Sequence, residues 1–150
     1  MLFPGIRTGF IVAPEPIRRA LVAARHLTDW HGPQLIQATL AKFIQEGHLA
    51  RHIRKMRRIY AQRRQLLFQC LESDVFGIAE PWPSAAGLHI AVRLNRGLSG
   101  DEIANAAKAK GVGVDSLGQH GLALGYGAIE ISQIEEGARR LMRVIWAAAR

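Results

Sequence analysis

Cysteine is nearly absent. Cys70 is the only one in 150 residues, so an internal disulfide is impossible and a reduced, cytoplasmic setting is the expectation. Cys70 sits in the run RRQLLFQCLE with no activating context. It reads as a small hydrophobe on a helix rather than as a nucleophile. Long apolar runs are missing too. No stretch nears the roughly 18 uninterrupted apolar residues of a membrane helix. The opening residues hold no basic region followed by an apolar run, so no signal peptide is expected. Carboxylates are in short supply, with 12 against 20 lysines and arginines, a formal net charge of +8. That excess invites a nucleic acid or an acidic ligand. Apolar residues, by contrast, make up 49% of the chain. That suffices for the core of one domain, or of one domain with a piece of another, and excludes a disordered chain.

The apolar pattern sets the order of elements. Phe3-Pro4-Gly5 is turn-like, and residues 6–13 (IRTGFIVA) read as a short strand. APEP stops it, with Pro16 well placed in the first turn of a helix. Ile17, Leu21, Ala24 and Leu27 recur at helical spacing, so a helix is expected from Ile17 to Leu27. TDWHGP breaks the chain. A second helix is expected from Pro33 to about Gln45, with Leu35, Ile36, Thr39, Leu40 and Phe43 inward and Gly47 ending it. The third and longest helix runs from about Leu49 to Leu71. Its inner stripe is Leu49, Ile53, Met56, Tyr60, Leu67 and Cys70 or Leu71.

That third helix carries most of the basic excess, in Arg51, Arg54, Lys55, Arg57, Arg58, Arg63 and Arg64. The plain account is a solvated face. A contact with a partner subunit, or with another part of a larger protein, comes next. A DNA-contacting helix comes last, because no helix-turn-helix pair is visible and the patch has no aromatic residues to stack on bases.

Beyond Ser73 the period changes. VFGIAEPWPSAAGLHIAVRL holds two short apolar runs. In the second, Leu88, Ile90, Val92 and Leu94 share one face and His89 and Arg93 the other, the mark of a half-buried strand. His89 is a candidate metal ligand only in isolation, since no second ligand stands at metal spacing. LSGDEIANAAKAKG reads as a helix capped by Ser99, with Asp101 and Glu102 in its first turn and Gly111 at its end. VGVDSL and GLALGYG read as two more strands. ISQIEEGARRLMRVIWAAA closes the chain as an amphipathic helix in which Ser132 and Glu135 match a capping box. The final part is therefore a compact α/β unit. The first strand has no sheet of its own to join, and a strand buried on both faces needs neighbours.

The stretches LFPGIRTGFIVAP, QATLAKFIQEGHLARHIRKMRRIYAQRRQLL, AGLHIAVRL, GVGVDSL and LALGYG together resemble the C-terminal part of MocR-type regulators of the GntR superfamily. Such proteins join a winged helix-turn-helix domain to a domain shaped like a fold-type I, pyridoxal-phosphate-dependent aminotransferase. The resemblance runs the length of the chain, and GHLARHIRKMRRIYAQRR is its most specific piece. It implies an α/β fold: the small C-terminal domain of such a transferase at 73–150, a long connecting helix at 49–72, and at 1–48 a remnant of the large cofactor-binding domain comprising one strand and two helices.

The resemblance also interprets the first residues. In the family a lysine that bonds to the cofactor lies in a Ser-x-Ser-Lys stretch, followed by apolar residues, Pro-Gly, an aliphatic residue and an arginine. MLFPGIR supplies the part of that pattern after the lysine, which would itself stand just before Met1. Arg7 then matches the arginine that grips the cofactor phosphate, with Gly5 beside it. A guanidinium suits that task, offering two parallel donors and a permanent charge. Taken without the motif, Arg7 reads as an ordinary surface charge at a strand edge. The family's aminotransferases also place an arginine for the substrate carboxylate in a strand like GLALGYG, and here that position falls at Ala123, give or take one residue. A methyl group cannot form the charge-assisted fork, and Arg93 is a candidate substitute.

The resulting expectation is part of an aminotransferase-like domain, with no catalytic residue of its own and no covalent hold on pyridoxal phosphate. Met1 is expected to be an internal methionine of a longer reading frame. The parent is expected to be a homodimer that reads DNA only through the winged helix-turn-helix domain and touches no membrane. A free-standing dimerisation or interaction module, supplying a small domain in trans, is the alternative.

Overall fold

The computed structural model describes residues 4–30, 32–73, 77–82 and 87–150. Residues 1–3, His31 and the stretches 74–76 and 83–86, which enter the expected first turn, the first helix break and the approach to the main strand, lie outside the described residues. The described elements are a 3-10 turn at Pro4–Ile6, then α1 (Glu15–Thr28), α2 (Gln34–Gln45), α3 (His48–Ser73), β1 (Ala79–Pro81), β2 (His89–Leu94), α4 (Gly100–Ala109), β3 (Asp115–Ser116), β4 (Gly121–Gly125) and α5 (Ile131–Ala148). The chain divides into two compact units, Met1–Lys55 and Met56–Arg150.

The second unit holds the sheet, in the order β1-β2-β4-β3 with every neighbouring pair antiparallel. The alternation expected along β2 is present: Ile90, Val92 and Leu94 are buried while His89 and Arg93 are exposed. Register carries that alternation across the sheet. Ile90 faces Leu124, Val92 faces Leu122, and Ala79 faces Leu94, so these apolar residues share one side of the sheet, with Ser116 of β3 at its edge opposite Leu122. Onto that side pack Ile103 and Ala107 of α4, Ile134, Leu141 and Ile145 of α5, and Leu67 and Leu71 of α3. Five of these side chains, Leu71, Ile103, Ile134, Leu141 and Ile145, lose nearly all solvent contact, each worth about 1.5–3 kcal/mol. The core thus takes in the C-terminal turns of α3. Cys70 lies there too, half-buried against the core as a small hydrophobe.

Local chemistry sets the boundaries. The Ser99 hydroxyl accepts the Glu102 amide proton at 3.5 Å, capping α4. Lys110 ends that helix and Gly111 follows with φ +76°, a left-handed turn that glycine makes without strain. Gly100 is required for another reason: a Cβ there would collide with the carbonyl oxygens of Gly118 and Gly121, so α4 begins directly on the β3–β4 connection. The capping box expected from Ser132 and Glu135 does not form. Glu130 is the extended residue preceding α5, which places Ser132 inside the first turn, past the cap position. β3 is only two residues long, because the chain bends at Leu117 into a 3-10 turn at Gly118–His120.

The first unit differs in kind. Residues 6–13, expected as a strand, have no ladder partner among the described residues, and the four strands of the sheet all lie between residues 79 and 125. Helices α1 and α2 form where the periodicity predicts them, yet neither has a buried residue. Leu35 and Ile36, expected to point inward, are exposed, as are Leu21 and Leu27 of the first helix's apolar repeat. The pattern marks which side of a helix is suited to burial and is silent on what covers it.

Candidate functional site

Arg7 follows the Pro4–Ile6 turn with φ +50°, in the left-handed region that a side chain rarely adopts outside turns and functional sites. Thr8 supports the turn by donating its hydroxyl proton to the Ile6 carbonyl at 3.1 Å. Arg7 and Gly5 are both exposed, and among the described residues no carboxylate forms an ion pair with Arg7. Its guanidinium donors are therefore available to an anion.

Ala123 sits in the middle of β4, opposite Ala91 on β2 and Asp115 on β3. Its side chain is on the sheet face away from the core, because its neighbours Leu122 and Leu124 take the inner one. Arg93 is on this outer face as well, opposite Gly121 and so two pairs along from Ala123. The structure thereby supplies the orientation that alternation alone leaves open. Arg93 is not idle there. It donates to Glu80, its direct cross-strand partner, and its guanidinium lies over the Trp82 ring at 5.9 Å. The Arg93 hydrogen bond and charge hold the Glu80 carboxyl below its usual range, with Asn95 adding a smaller hydrogen-bond contribution in the same direction. His89 shares this outer face, across from Gly125. Among the described residues no group of three His, Cys, Asp or Glu side chains is placed to hold a metal ion.

Sequence reasoning misses two features. The Glu80–Arg93–Trp82 cluster depends on the register of β1, a strand of three residues ending in proline. Its only sequence signal is an acid and a base at positions that become opposite once the ladder forms. Arg63 reads in the sequence as one member of the basic patch. Its side chain is only 12% exposed, and it donates to the Gly127 carbonyl at 2.8 Å, with Glu130 at 4.0 Å. It is a structural tie between α3 and the loop before α5.

The comparisons agree with this fold. The family model for aminotransferase class I and II matches residues 1–114. Over 148 residues the chain is 32% identical to the probable rhizopine catabolism regulatory protein MocR of Rhizobium meliloti, covering 93% of this chain and 30% of that protein. It is 28% identical over 153 residues to 2-aminoadipate transaminase of Thermus thermophilus, covering 97% and 38% of the two chains. The crystal structure of LysN, the α-aminoadipate aminotransferase of Thermus thermophilus complexed with N-(5′-phosphopyridoxyl)-L-leucine, matches with a TM-score of 0.82 at 26% identity. That match covers 97% of this chain and 39% of LysN. The chain spans about a third of the length of the curated relatives it matches. Among the described residues no helix is long and apolar enough to cross a membrane. With the family model spanning the first unit and the first two strands of the sheet, the chain belongs to the class I and II aminotransferase family.

Proposed function

We propose that this chain is part of the aminotransferase-like domain of a MocR-type transcription regulator, a domain that binds pyridoxal phosphate or an amino-acid-type effector. The observation carrying this reading is the first unit. Phe10, Ile11 and Val12 are 90%, 74% and 89% exposed on a segment with no ladder partner among the described residues, followed by two helices with no buried residue. Such a stretch is the inner strand and covering helices of a larger sheet. The remaining strands belong to the large domain of an aminotransferase-like protein.

Pyridoxal phosphate fits the residues present in one respect. Arg7 is exposed and unpaired, and would hold the phosphate by two parallel hydrogen bonds, while Gly5 has no side chain to obstruct the approach. When bound, the cofactor supplies an electron sink for charge developing on an amino-acid carbon. The chain's four lysines, Lys42, Lys55, Lys108 and Lys110, all lie outside the segment carrying Arg7, so a covalent hold is not assigned to any of them. Ala123 gives an effector carboxylate nothing to bind, and Arg93 is already engaged by Glu80. The reading accordingly has the chain non-catalytic alone. In the parent it has a cytoplasmic homodimer whose base-reading DNA contacts are made by a winged helix-turn-helix domain outside these residues. Curated relatives described as HTH-type transcriptional regulators support that architecture.

The free-standing module remains the second reading, favoured by the second unit's complete core. The genomic DNA upstream of the Met1 codon separates the two. An open frame encoding Ser-x-Ser-Lys directly before Met1 supports the regulator; in-frame stop codons there contradict it and favour the module. A protein-level test is borohydride reduction after incubation with pyridoxal phosphate, read by peptide mass spectrometry. No lysine should be labelled in preference to the others, and stoichiometric labelling of one would overturn the reading.

A further inference from the structure

The basic helix α3 differs from the other charged helices in how its cations are balanced. In α1, Glu15 pairs with Arg18 at 2.6 Å and with Arg19 at 3.1 Å. In α5, Glu136 takes both Arg139 and Arg140, the latter at 2.8 Å. Each arginine pair there has a carboxylate one turn before it. Helix α3 has seven lysines and arginines against one carboxylate, Glu72, a net +6 out of the chain's +8. Arg51, Arg54, Lys55, Arg57 and Arg58 are all exposed, and among the described residues none forms an ion pair with a carboxylate. Arg51, Arg54, Lys55 and Arg58 recur at three- and four-residue spacing, which places them on one side of the helix.

Like charges one turn apart repel, so a face serving only solubility gains from interspersed acids, as α1 and α5 have. A face kept uniformly positive is suited to a polyanion. We infer that this stripe of α3 binds the phosphate backbone of duplex nucleic acid. From Arg51 to Arg58 the helix rises about 10 Å. Over that length a duplex presents about three phosphates on each strand. The stripe holds no aromatic side chain, which excludes stacking on single-stranded bases. Leu67 and Leu71 farther along α3 are buried in the core, so that part of the helix has no apolar side chains to offer a bilayer. The contact is sequence-independent and positions rather than specifies. It adds to the base-reading domain of a regulator and does not depend on the cofactor reading above.

The test is fluorescence anisotropy of the 150-residue chain with a labelled duplex of arbitrary sequence, titrated at several salt concentrations between about 50 and 200 mM. The expected result is a log–log salt slope of about −3 to −4. The Arg51→Gln/Arg54→Gln/Lys55→Gln/Arg58→Gln variant keeps good helix formers and should lose most of that slope, with at least about tenfold weaker binding at the lowest salt. Single replacements such as Arg54→Gln should each remove about one unit of slope. The Arg139→Gln/Arg140→Gln variant, which neutralises charges already paired, should bind as the unaltered chain does. No duplex binding at the lowest salt overturns the inference. So does an unchanged slope in the quadruple variant, or binding to phosphatidylserine vesicles without binding to duplex.

Discussion

Glu80, Arg93 and Trp82 form a cross-strand polar cluster on the open face of the sheet. The sign of the Glu80 shift determines how that cluster responds to acid. A carboxyl whose folded pKa lies below its unfolded value contributes stability above the unfolded value, near 4.5, and loses it as pH falls through the folded one. Glu80→Gln should therefore lower the denaturation midpoint at neutral pH and abolish that share of the acid sensitivity. Urea melts of both proteins at neutral pH and well below the ordinary carboxylate range should show the difference closing on acidification; a gap of constant size would contradict the assignment. Both partners are substantially exposed, so the effect is small. Gly100 is the opposite case, with no charge and no freedom. Gly100→Ala pushes a methyl group into two backbone carbonyls and should cost about 1–3 kcal/mol, seen as a lower melting temperature. Retention of the original melting temperature would mean that α4 sits farther from the β3–β4 connection than described.

At the scale of elements, sequence and structure agree where local chemistry is decisive. The alternation of 88–94, the Ser99 cap and the left-handed Gly111 all sit where residue type alone puts them. Ser99→Ala should cost about 0.5–1 kcal/mol, at the low end for a cap because the hydrogen bond is long, and a urea titration reads it directly. Leu122→Ala, at a side chain with no solvent exposure between α4, α5 and the sheet, should cost about 2–5 kcal/mol. Features that the sequence leaves dark depend on distant partners. The inward role of Arg63 is fixed by the Gly127 carbonyl 64 positions away. The engagement of Arg93 follows from the register of β1, and the unformed capping box from a start of α5 two residues earlier than a Ser132 cap requires. For the candidate site, motif resemblance singles out Arg7, Gly5 and Ala123. Periodicity by itself would leave Arg7 a surface charge.

On the scale of the whole molecule, the two units stand in contrast. Met56–Arg150 encloses its own core and should hold its hydrogen bonds without help. Met1–Lys55 presents Phe10, Ile11 and Val12 to water on a segment for which no ladder hydrogen bonds are formed among the described residues. On the reading proposed above, this segment is a strand of a larger aminotransferase-like sheet and is completed only by that sheet. Hydrogen–deuterium exchange of the 150-residue chain, resolved by peptide mass spectrometry, is the decisive experiment. Amides of residues 8–13 should exchange at the rate of an unprotected chain, while those of β2 and β4 stay protected by many orders of magnitude. Protection of residues 8–13 comparable to that of β4 would contradict the reading, because the chain would then satisfy this strand by itself.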